Sequence, residues 1–212
     1  MITKPTRAWI VDCFRDRSVV LDKAPVPHDY SRERGDHALN AGMEPAQPLI
    51  PAAVLVPFID RPDELMVLLT ERTSHLAHHA GQVSFPGGHI EPQDGGPTET
   101  ALRETEEEIG LDRQRVTVIG HLDIYITRTG FAVQPVVGIV SPPFVLKPDP
   151  HEVAEIFEVP LSFLLNRDNR QPCTAEIDGV TRHFWAIPYH GHFIWGATAG
   201  MLVDLCDILD PR

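Results

Sequence analysis

A run of acidic residues on one predicted helix is the feature that most constrains the fold of this chain. Residues 103–110 have the sequence Arg-Glu-Thr-Glu-Glu-Glu-Ile-Gly, and the spacing of apolar residues predicts a helix over 98–109. Successive residues of an α-helix are rotated by about 100°. The side that can face a core is therefore formed by Ala101, Leu102, Thr105 and Ile109. The fold must bury this side and also accommodate the negative charge beside it.

Three of the acidic residues form a cluster next to the apolar side. Glu104 and Glu108 are four residues apart and share one face, and Glu107 lies beside Glu104. Like charges at this spacing cost about 0.2–0.5 kcal/mol per pair, and the helix dipole disfavours negative charge in the last turns. A divalent cation bound by the carboxylates would remove these penalties. The alternative is a solvent-exposed acidic face with Arg103 in an ion pair, which is the commoner explanation for an isolated E-x-x-E-E segment.

A glycine-rich loop precedes this helix. Residues 84–88 are Ser-Phe-Pro-Gly-Gly. The two glycines allow the backbone to approach an ion or a phosphate closely, whereas a simple turn is the alternative for the loop considered alone. Such a loop at this distance from R-E-x-x-E-E-x-G favours a metal and phosphate site.

Taken together, the loop and the helix resemble the Nudix box, G-x5-E-x7-R-E-U-x-E-E-x-G-U, where U is a bulky aliphatic residue. Gly88 occupies the first glycine position, Asp94 stands in place of the first glutamate, and one extra residue precedes Arg103. The rest of the box is matched by Arg103, Glu104, Glu107, Glu108, Gly110 and Leu111, with Thr105 in place of an aliphatic residue. The aspartate and the insertion are similar to the coenzyme A diphosphatase-like branch.

Segments outside the box also resemble that branch. They are residues 68–72, 79–88, 130–138, 152–153, 157–161 and 195–200. Two positions depart from the upstream signature of the branch: Ala77 stands where it has an arginine, and Thr73 stands where it prefers serine or alanine. An arginine fork would bind phosphate oxygens in pairs, so the departure at Ala77 leaves several substrates open.

The resemblance implies an α/β fold, a Nudix-type mixed β-sheet sandwiched between α-helices, in residues 49–212. It also implies metal-dependent hydrolysis of a diphosphate bond in a nucleotide derivative, with coenzyme A or an acyl-coenzyme A as the leading substrate. The alternatives are ADP-ribose, NADH or a nucleoside triphosphate, and a non-catalytic ligand sensor of the same fold. Residues 1–48 are predicted to form an N-terminal extension, a short helix followed by irregular chain, that either wraps the domain or contacts a second subunit in a homodimer.

The expected site residues follow from the acidic cluster, the glycine-rich loop, the positions of nearby charges and this resemblance. The ligands of Mg²⁺ or Mn²⁺ are expected to be Glu104, Glu107, Glu108 and the backbone of Gly88. Arg103 is expected to orient a glutamate of the box by ion pairing. Glu152 is the candidate general base, with an ordinary surface-loop acid as the equal alternative. The expected contacts of the substrate phosphates are Arg72, Arg128, Gly87 and Gly88, although each arginine is explained equally well as an exposed charge.

The composition narrows the classes of partner. The chain has 212 residues and a formal net charge of -12, which argues against a protein that holds nucleic acid through its phosphates, since that needs a basic face. Cys13, Cys173 and Cys206 form no C-x-x-C motif, so a reducing compartment, the cytoplasm, is expected. The longest apolar run, 49–59, contains two prolines and is too short to span a bilayer. It predicts a buried strand, and no membrane partner is expected.

The remaining patterns predict strands and helices that interleave without strict βαβ alternation, as in a mixed sheet. The predicted strands are 52–59, 65–71, 116–126, 132–140 and 153–159, followed by a hairpin of 183–187 and 192–195. The other predicted helices are 6–16, 161–165 and 197–209. Gly110 is predicted to end the acidic helix in a left-handed conformation.

The histidines and aromatic residues near the site are not expected to bind zinc or a nucleotide base. Four histidines approach the box without the spacing of a zinc site, so loop packing or hydrogen bonding to phosphate is expected. They are His75, His78, His79 and His89. Three aromatic residues are expected in the core and not beneath a nucleotide base. They are Trp185, Phe193 and Trp195.

Overall fold

The computed structural model describes residues 5–17, 33–75, 81–177 and 179–211. Its helices are α1 (Arg7–Cys13), α2 (Asp36–Leu39), α3 (Pro97–Ile109), α4 (Leu161–Leu165) and α5 (Gly196–Leu209). Its strands are β1 (Arg34–Gly35), β2 (Ile50–Asp60), β3 (Leu65–Arg72), β4 (Val83–Ser84), β5 (Gly87–His89), β6 (Val116–His121), β7 (Tyr125–Ile126), β8 (Phe131–Val140), β9 (Val153–Pro160), β10 (Gln171–Ile177), β11 (Val180–Tyr189) and β12 (His192–Trp195). Short 3-10 helices are formed by Arg15–Arg17, Arg113–Arg115 and Arg167–Asn169.

A mixed sheet of nine strands runs through the described residues. β1, β7, β8, β2, β3 and β4 follow one another across it, while β5, β6 and β9 pair with β2, β8 and β3. The longest pairing is the parallel one between β2 and β8, from Ile50–Phe131 to Ile59–Val140. These two central strands are near-continuous apolar runs because helices cover the sheet on both faces.

The helices pack on opposite faces of this sheet. On one face, Ala101 and Ile109 of α3 pack against Leu55 of β2. On the other face, Leu202 of α5 belongs to the same core cluster as Val137 of β8, together with residues of α1 and α4. The predicted α/β fold, a mixed sheet sandwiched between helices, is confirmed. No helix in the described part of the chain is long and apolar enough to cross a membrane.

A second sheet is formed by β10, β11 and β12. β11 and β12 form the predicted hairpin, with His190 (φ 45°) and Gly191 (φ 93°) at its turn. Positive φ at both central residues gives a turn whose twist matches that of the flanking strands. β10 is not among the predicted strands, because its residues alternate between exposed and half-buried and include Pro172, so the strand has no strong apolar signal.

The strand predicted over 116–126 is wrong in extent, because the structure divides it into β6 and β7. The register of β6 against β8 shifts at Gly120. The Leu122 N–H then donates to the Pro135 carbonyl at 3.0 Å, and the Leu122 carbonyl accepts from the side-chain amide of Gln134 at 2.7 Å. These hydrogen bonds interrupt the regular pairing with β8 before β7 begins.

The described N-terminal residues pack into the same core as the rest of the chain. Ile10 and Phe14, in and just after α1, are fully buried in the cluster that includes α5. Farther along, the Asn40 side-chain amide donates to the His183 carbonyl and accepts from the His183 N–H, both at 2.9 Å. Residues 1–4 and 18–32 lie outside the described residues. The domain boundary at residue 48 and the homodimer remain predictions.

Two neighbouring residues of α1 test whether this helix belongs to the core. We expect Ile10→Ala to lower the free energy of unfolding by about 2–5 kcal/mol, because Ile10 is fully buried. Val11, with 42% of its surface exposed, is the matched control, and Val11→Ala should change the stability by less than about 0.5 kcal/mol. Urea denaturation of both variants measures the difference. Equally small effects would contradict the packing of α1.

Candidate active site

The helix α3 is fixed at both ends. It begins with Pro97 at its first turn, where a missing N–H costs nothing. It ends at Gly110, which has the predicted left-handed conformation (φ 67°) and donates to the Glu106 carbonyl at 2.9 Å. The loop between β8 and β9 completes the end of the helix, because the Asp149 N–H donates to the Glu108 carbonyl at 2.8 Å. The loop that leads to Glu152 is therefore tied directly to the acidic helix.

Two glutamates of α3 are largely buried at the end of this helix. The exposed fraction of the side chain is 19% for Glu104 and 7% for Glu108. Burial raises the pKa of Glu108 to about 8, although the Gly87 N–H donates to its Oε2 at 3.2 Å and Arg72 lies nearby. Burial also raises the pKa of Glu104, opposed by Arg103. Burial therefore makes it costly to charge both carboxyls, and a bound cation would offset that cost.

Arg103 holds the loop before α3 against the helix. Its guanidinium donates to both carboxylate oxygens of Asp94 at 2.9 Å, to Glu104 at 2.9 Å and to Glu107 at 3.1 Å. It also donates to the His89 carbonyl at 3.3 Å. Hydrogen bonding to Asp94 is the main reason that the pKa of Arg103 is raised above its usual range. The expected ion pair between Arg103 and a glutamate of the box is present.

Asp94, at the first acidic position of the box, stabilises the loop. Its side chain is 2% exposed, and its oxygens accept from Arg103, from the Thr100 hydroxyl at 2.7 Å and from the Glu91 N–H at 2.9 Å. The hydrogen bonds from Arg103 hold the pKa of this carboxyl well below its usual range. Because its oxygens are already occupied by these donors, Asp94 positions Arg103 and is not available to a ligand.

The two glycines of the loop are required for different reasons. A Cβ on Gly87 (φ 155°) would lie 2.5 Å from the Val54 Cα atom of β2. A Cβ on Gly88 would lie 2.5 Å from Oε1 of Glu104. Gly87 therefore allows β5 to pair with β2, whereas Gly88 allows the Glu104 carboxylate to lie against the loop backbone.

Arg72 lies between α3 and the loop that carries Glu152. Its Nη1 is 3.6 Å from Oε1 of Glu108, and its Nη2 is 3.8 Å from Oε2 of Glu152. The Arg72 Nε is buried and has no hydrogen-bond partner among the described residues. The backbone of Glu152 is held by Thr73, whose N–H donates to the Glu152 carbonyl at 2.9 Å. One guanidinium therefore balances two carboxylates and keeps donors for a further acceptor.

A cavity of about 580 Å³ opens at these carboxylates. The predicted site residues that line it are Arg72, Gly87, Gly88, Glu104, Glu108, Arg128 and Glu152. Arg103 and Glu107 are outside this lining. Arg103 supports Glu104 from the loop side, and Glu107 is 60% exposed and paired with Arg103. The structure thus brings together carboxylates from α3 and from the loop between β8 and β9. It adds Arg72 from the end of β3 and Arg128 from the turn between β7 and β8.

Other walls of the cavity are formed by residues that are not among the predicted site residues. They include Asp36, Asn40 and Met43 of the N-terminal segment and Arg182, Phe184 and Trp195 of the second sheet. No local motif marks these residues, because their proximity to α3 depends on long-range packing. The alternation along β11 is the one signal that places Arg182 and Phe184 on a common face.

The interpretation of the aromatic residues is wrong for two of the three. Trp185 packs against the main core as expected. Trp195 lines the cavity, because the face of β12 that carries it is turned away from that core. Phe193 is 49% exposed, since its cross-strand neighbour Pro188 also faces outward.

The histidines do not form a zinc site among the described residues. His75 is exposed, and His89 lies at the cavity with its ring 5.3 Å from that of Phe131. His78, His79 and Ala77 lie outside the described residues.

A different group of ligand-type side chains lies on the opposite side of the sheet from α3. Atoms of Glu71, Glu155 and His192 lie within 4.8 Å of one another. His192 Nδ1 is 2.9 Å from Glu71 and Nε2 is 3.9 Å from Glu155, and its ring stacks on Phe157 with centroids 3.7 Å apart. Because the two nitrogens face different carboxylates, the imidazole joins β3, β9 and β12 as a bridge. This group is not among the sites predicted from the sequence.

Similarity to known proteins decides the family. The NUDIX domain family matches residues 49–188, more than half of the chain. The chain belongs to the NUDIX family. Nudix hydrolase NudL of Escherichia coli (strain K12), described as uncharacterized, is 40% identical over 154 residues, which cover 73% of this chain and 80% of that protein. NudL of Shigella boydii serotype 18 gives the same values. The protein is a Nudix hydrolase, of a family that acts on nucleoside diphosphate derivatives.

Two solved structures are similar to part of the chain. The binary complex of a Caenorhabditis elegans Ap4A hydrolase is 21% identical, with a TM-score of 0.44, and the match covers 52% of this chain and 80% of that one. The Nudix hydrolase RenU from M. smegmatis is 23% identical, with a TM-score of 0.42, and the match covers 52% of this chain and 70% of that one.

The two glycines give a matched pair of variants. We expect Gly88→Ala to leave the thermal stability nearly unchanged, because the colliding atoms are the mobile end of Glu104, but to weaken Mn²⁺ binding by about 10–100-fold. Gly87→Ala collides with the β2 backbone and should lower the free energy of unfolding by about 1–3 kcal/mol. Thermal unfolding and isothermal titration with Mn²⁺ measure the two effects. The same loss of stability in both variants would contradict this division.

Proposed function

We propose that the protein hydrolyses the diphosphate bond of coenzyme A or an acyl-coenzyme A. The observation that carries the proposal is a pair of buried carboxylates, Glu104 and Glu108, at a cavity of about 580 Å³ that also holds arginine side chains and an aromatic wall. A cavity of this size and mixed lining suits a ligand with a charged centre and bulky groups on either side of it. The resemblance of the flanking segments to the coenzyme A diphosphatase-like branch supports the same substrate class.

Glu104 and Glu108 would hold the divalent cation that Nudix hydrolases generally need. They fit it because burial raises the pKa of both carboxyls, a cost that a bound cation would offset, and because Mg²⁺ and Mn²⁺ prefer oxygen ligands. The Gly88 backbone lies against Glu104, and Glu107 would join the set after leaving Arg103. When bound, such an ion screens the diphosphate charge and lowers the pKa of a coordinated water.

The chain's own groups would divide the remaining work. Glu152 would accept a proton from water as the water oxygen forms its bond to phosphorus and the anhydride P–O bond breaks, with the electron pair leaving on the departing phosphate. Arg72 would bind a phosphate oxygen through the donors that its ion pairs leave open. Arg128 would contact a phosphate from the turn before β8. The products would be phosphopantetheine, or its acyl form, and adenosine bisphosphate.

Product analysis tests the reaction. We expect the purified protein with Mg²⁺ or Mn²⁺ to cleave coenzyme A and acetyl-coenzyme A in preference to NADH, ADP-ribose and nucleoside triphosphates. Glu108→Gln should lower kcat/KM by about 100-fold or more. Glu106→Gln is the matched control, because Glu106 lies on the same helix in an exposed ion pair with Arg113.

The outcomes separate the alternatives. Cleavage of ADP-ribose or NADH without cleavage of coenzyme A would show that the substrate proposal is wrong and leave the reaction type in place. Binding of these compounds without cleavage of any would indicate a ligand sensor.

A second variant tests the general base. We expect Glu152→Gln to lower kcat by about 100-fold or more at saturating metal while KM changes little, because the amide cannot accept the proton from water. The backbone bonds that hold position 152 do not involve the changed atoms, so the thermal stability should be preserved. Near-normal turnover would show that Glu152 is an ordinary loop acid.

A further inference from the structure

The second sheet presents a distinct chemical surface to the cavity. In the register of β10 and β11, Arg182 lies opposite Ala175 and Phe184 lies opposite Cys173. Side chains two residues apart on a strand point to the same face, so Arg182 and Phe184 share a face with Ile177 of β10. All three of Arg182, Phe184 and Ile177 line the cavity. One guanidinium therefore stands on an otherwise apolar and aromatic wall.

An aromatic pair completes this wall. The ring of Trp195 on β12 lies edge-on to that of Phe184, with centroids 5.5 Å apart and planes at 63°. Both residues are half-buried, so each ring keeps an accessible surface within the cavity. Such surfaces bind flat, apolar groups such as a nucleotide base.

Arg182 differs in its charge environment from the arginine beside the glutamates. Arg72 has carboxylates of Glu108 and Glu152 within 4 Å. No carboxylate of the described residues lies within 4.0 Å of the Arg182 guanidinium, and the side chain is half-buried. A planar guanidinium binds phosphate oxygens in pairs. The wall is therefore complementary to a base whose sugar carries a phosphate.

We propose that Arg182 binds a second phosphate of the substrate, a monoester separate from the diphosphate that is cleaved. Arg182 is then the residue that selects adenine nucleotides phosphorylated on the ribose over those that lack this group. The inference rests on the proposed function for the reaction, but its binding component does not depend on turnover. Arg182 contacts the substrate and takes no part in bond breaking, so its loss raises KM and leaves kcat nearly unchanged.

Steady-state kinetics with two substrates test the selection. Coenzyme A and 3′-dephospho-coenzyme A differ only in the ribose phosphate. The wild-type protein should prefer coenzyme A by at least about tenfold in kcat/KM, since hydrogen bonds to charged groups are the strong ones. Arg182→Gln should remove this preference by raising KM for coenzyme A alone, and Arg182→Lys should retain part of it. Arg113→Gln, which changes an arginine paired with Glu106 on the surface, should keep the wild-type preference.

Equilibrium binding tests the same contact without the reaction. Isothermal titration with adenosine 3′,5′-bisphosphate and with AMP should give tighter binding of the bisphosphate by at least about tenfold, and Arg182→Gln should make the two affinities equal. If coenzyme A is not cleaved but this difference appears, the proposed function fails and the inference stands. Equal kinetics and equal binding of the paired compounds in the wild type would overturn the inference. So would a loss in Arg113→Gln equal to that in Arg182→Gln.

Discussion

The guanidinium of Arg103 is the interaction on which the geometry of the active site depends. It joins four groups that would otherwise separate: the Asp94 carboxylate, two glutamates of α3 and the His89 carbonyl. The Arg103 side chain is only 17% exposed and Asp94 only 2%, so removing Arg103 would leave the Asp94 charge without compensation in a poorly solvated place. The loop glycines and Glu104 can approach one another only because this charge pair holds the loop at the start of the helix.

The net charge of the protein and the charges that line the cavity affect substrate binding over different distances. The chain carries a formal net charge of -12, yet the family's substrates are anionic. Three arginines from separate parts of the chain, Arg72, Arg128 and Arg182, line the cavity beside its carboxylates. At about 0.15 M salt, charges beyond roughly 8 Å are largely screened. The distant acidic surface therefore opposes substrate binding much less than these nearby arginines favour it.

The parts of the site that could be predicted are those encoded in local periodicity. The spacing of Glu104 and Glu108 places them on one face of a helix, and Gly110 ends that helix because only glycine adopts its conformation freely. The sheet between helices follows from long apolar strands such as β2. The role of Asp94 was not predictable, because it depends on where the loop folds back on Arg103 and Thr100.

The walls of the cavity were not predictable for a related reason. Arg182 and Met43 reach the cavity through the packing of the second sheet and the N-terminal segment against the central sheet. β10 has little apolar signal, and neither segment contains a motif that names a partner. Their contribution depends on contacts between residues more than a hundred positions apart, such as the one between Asn40 and His183. The roles of the individual site residues stay proposals.

Asn40 lines the cavity and also binds the edge of β11. β12 pairs with β11 only from Ala186 to Tyr189, and beyond that stretch the amide of Asn40 takes the N–H and the carbonyl of His183. A side-chain amide offers the same donor and acceptor as a peptide group, so Asn40 covers the open edge of β11 as a neighbouring strand would. An uncovered edge is a template for pairing with other chains. Asn40 therefore leaves less of this edge open for pairing with another chain.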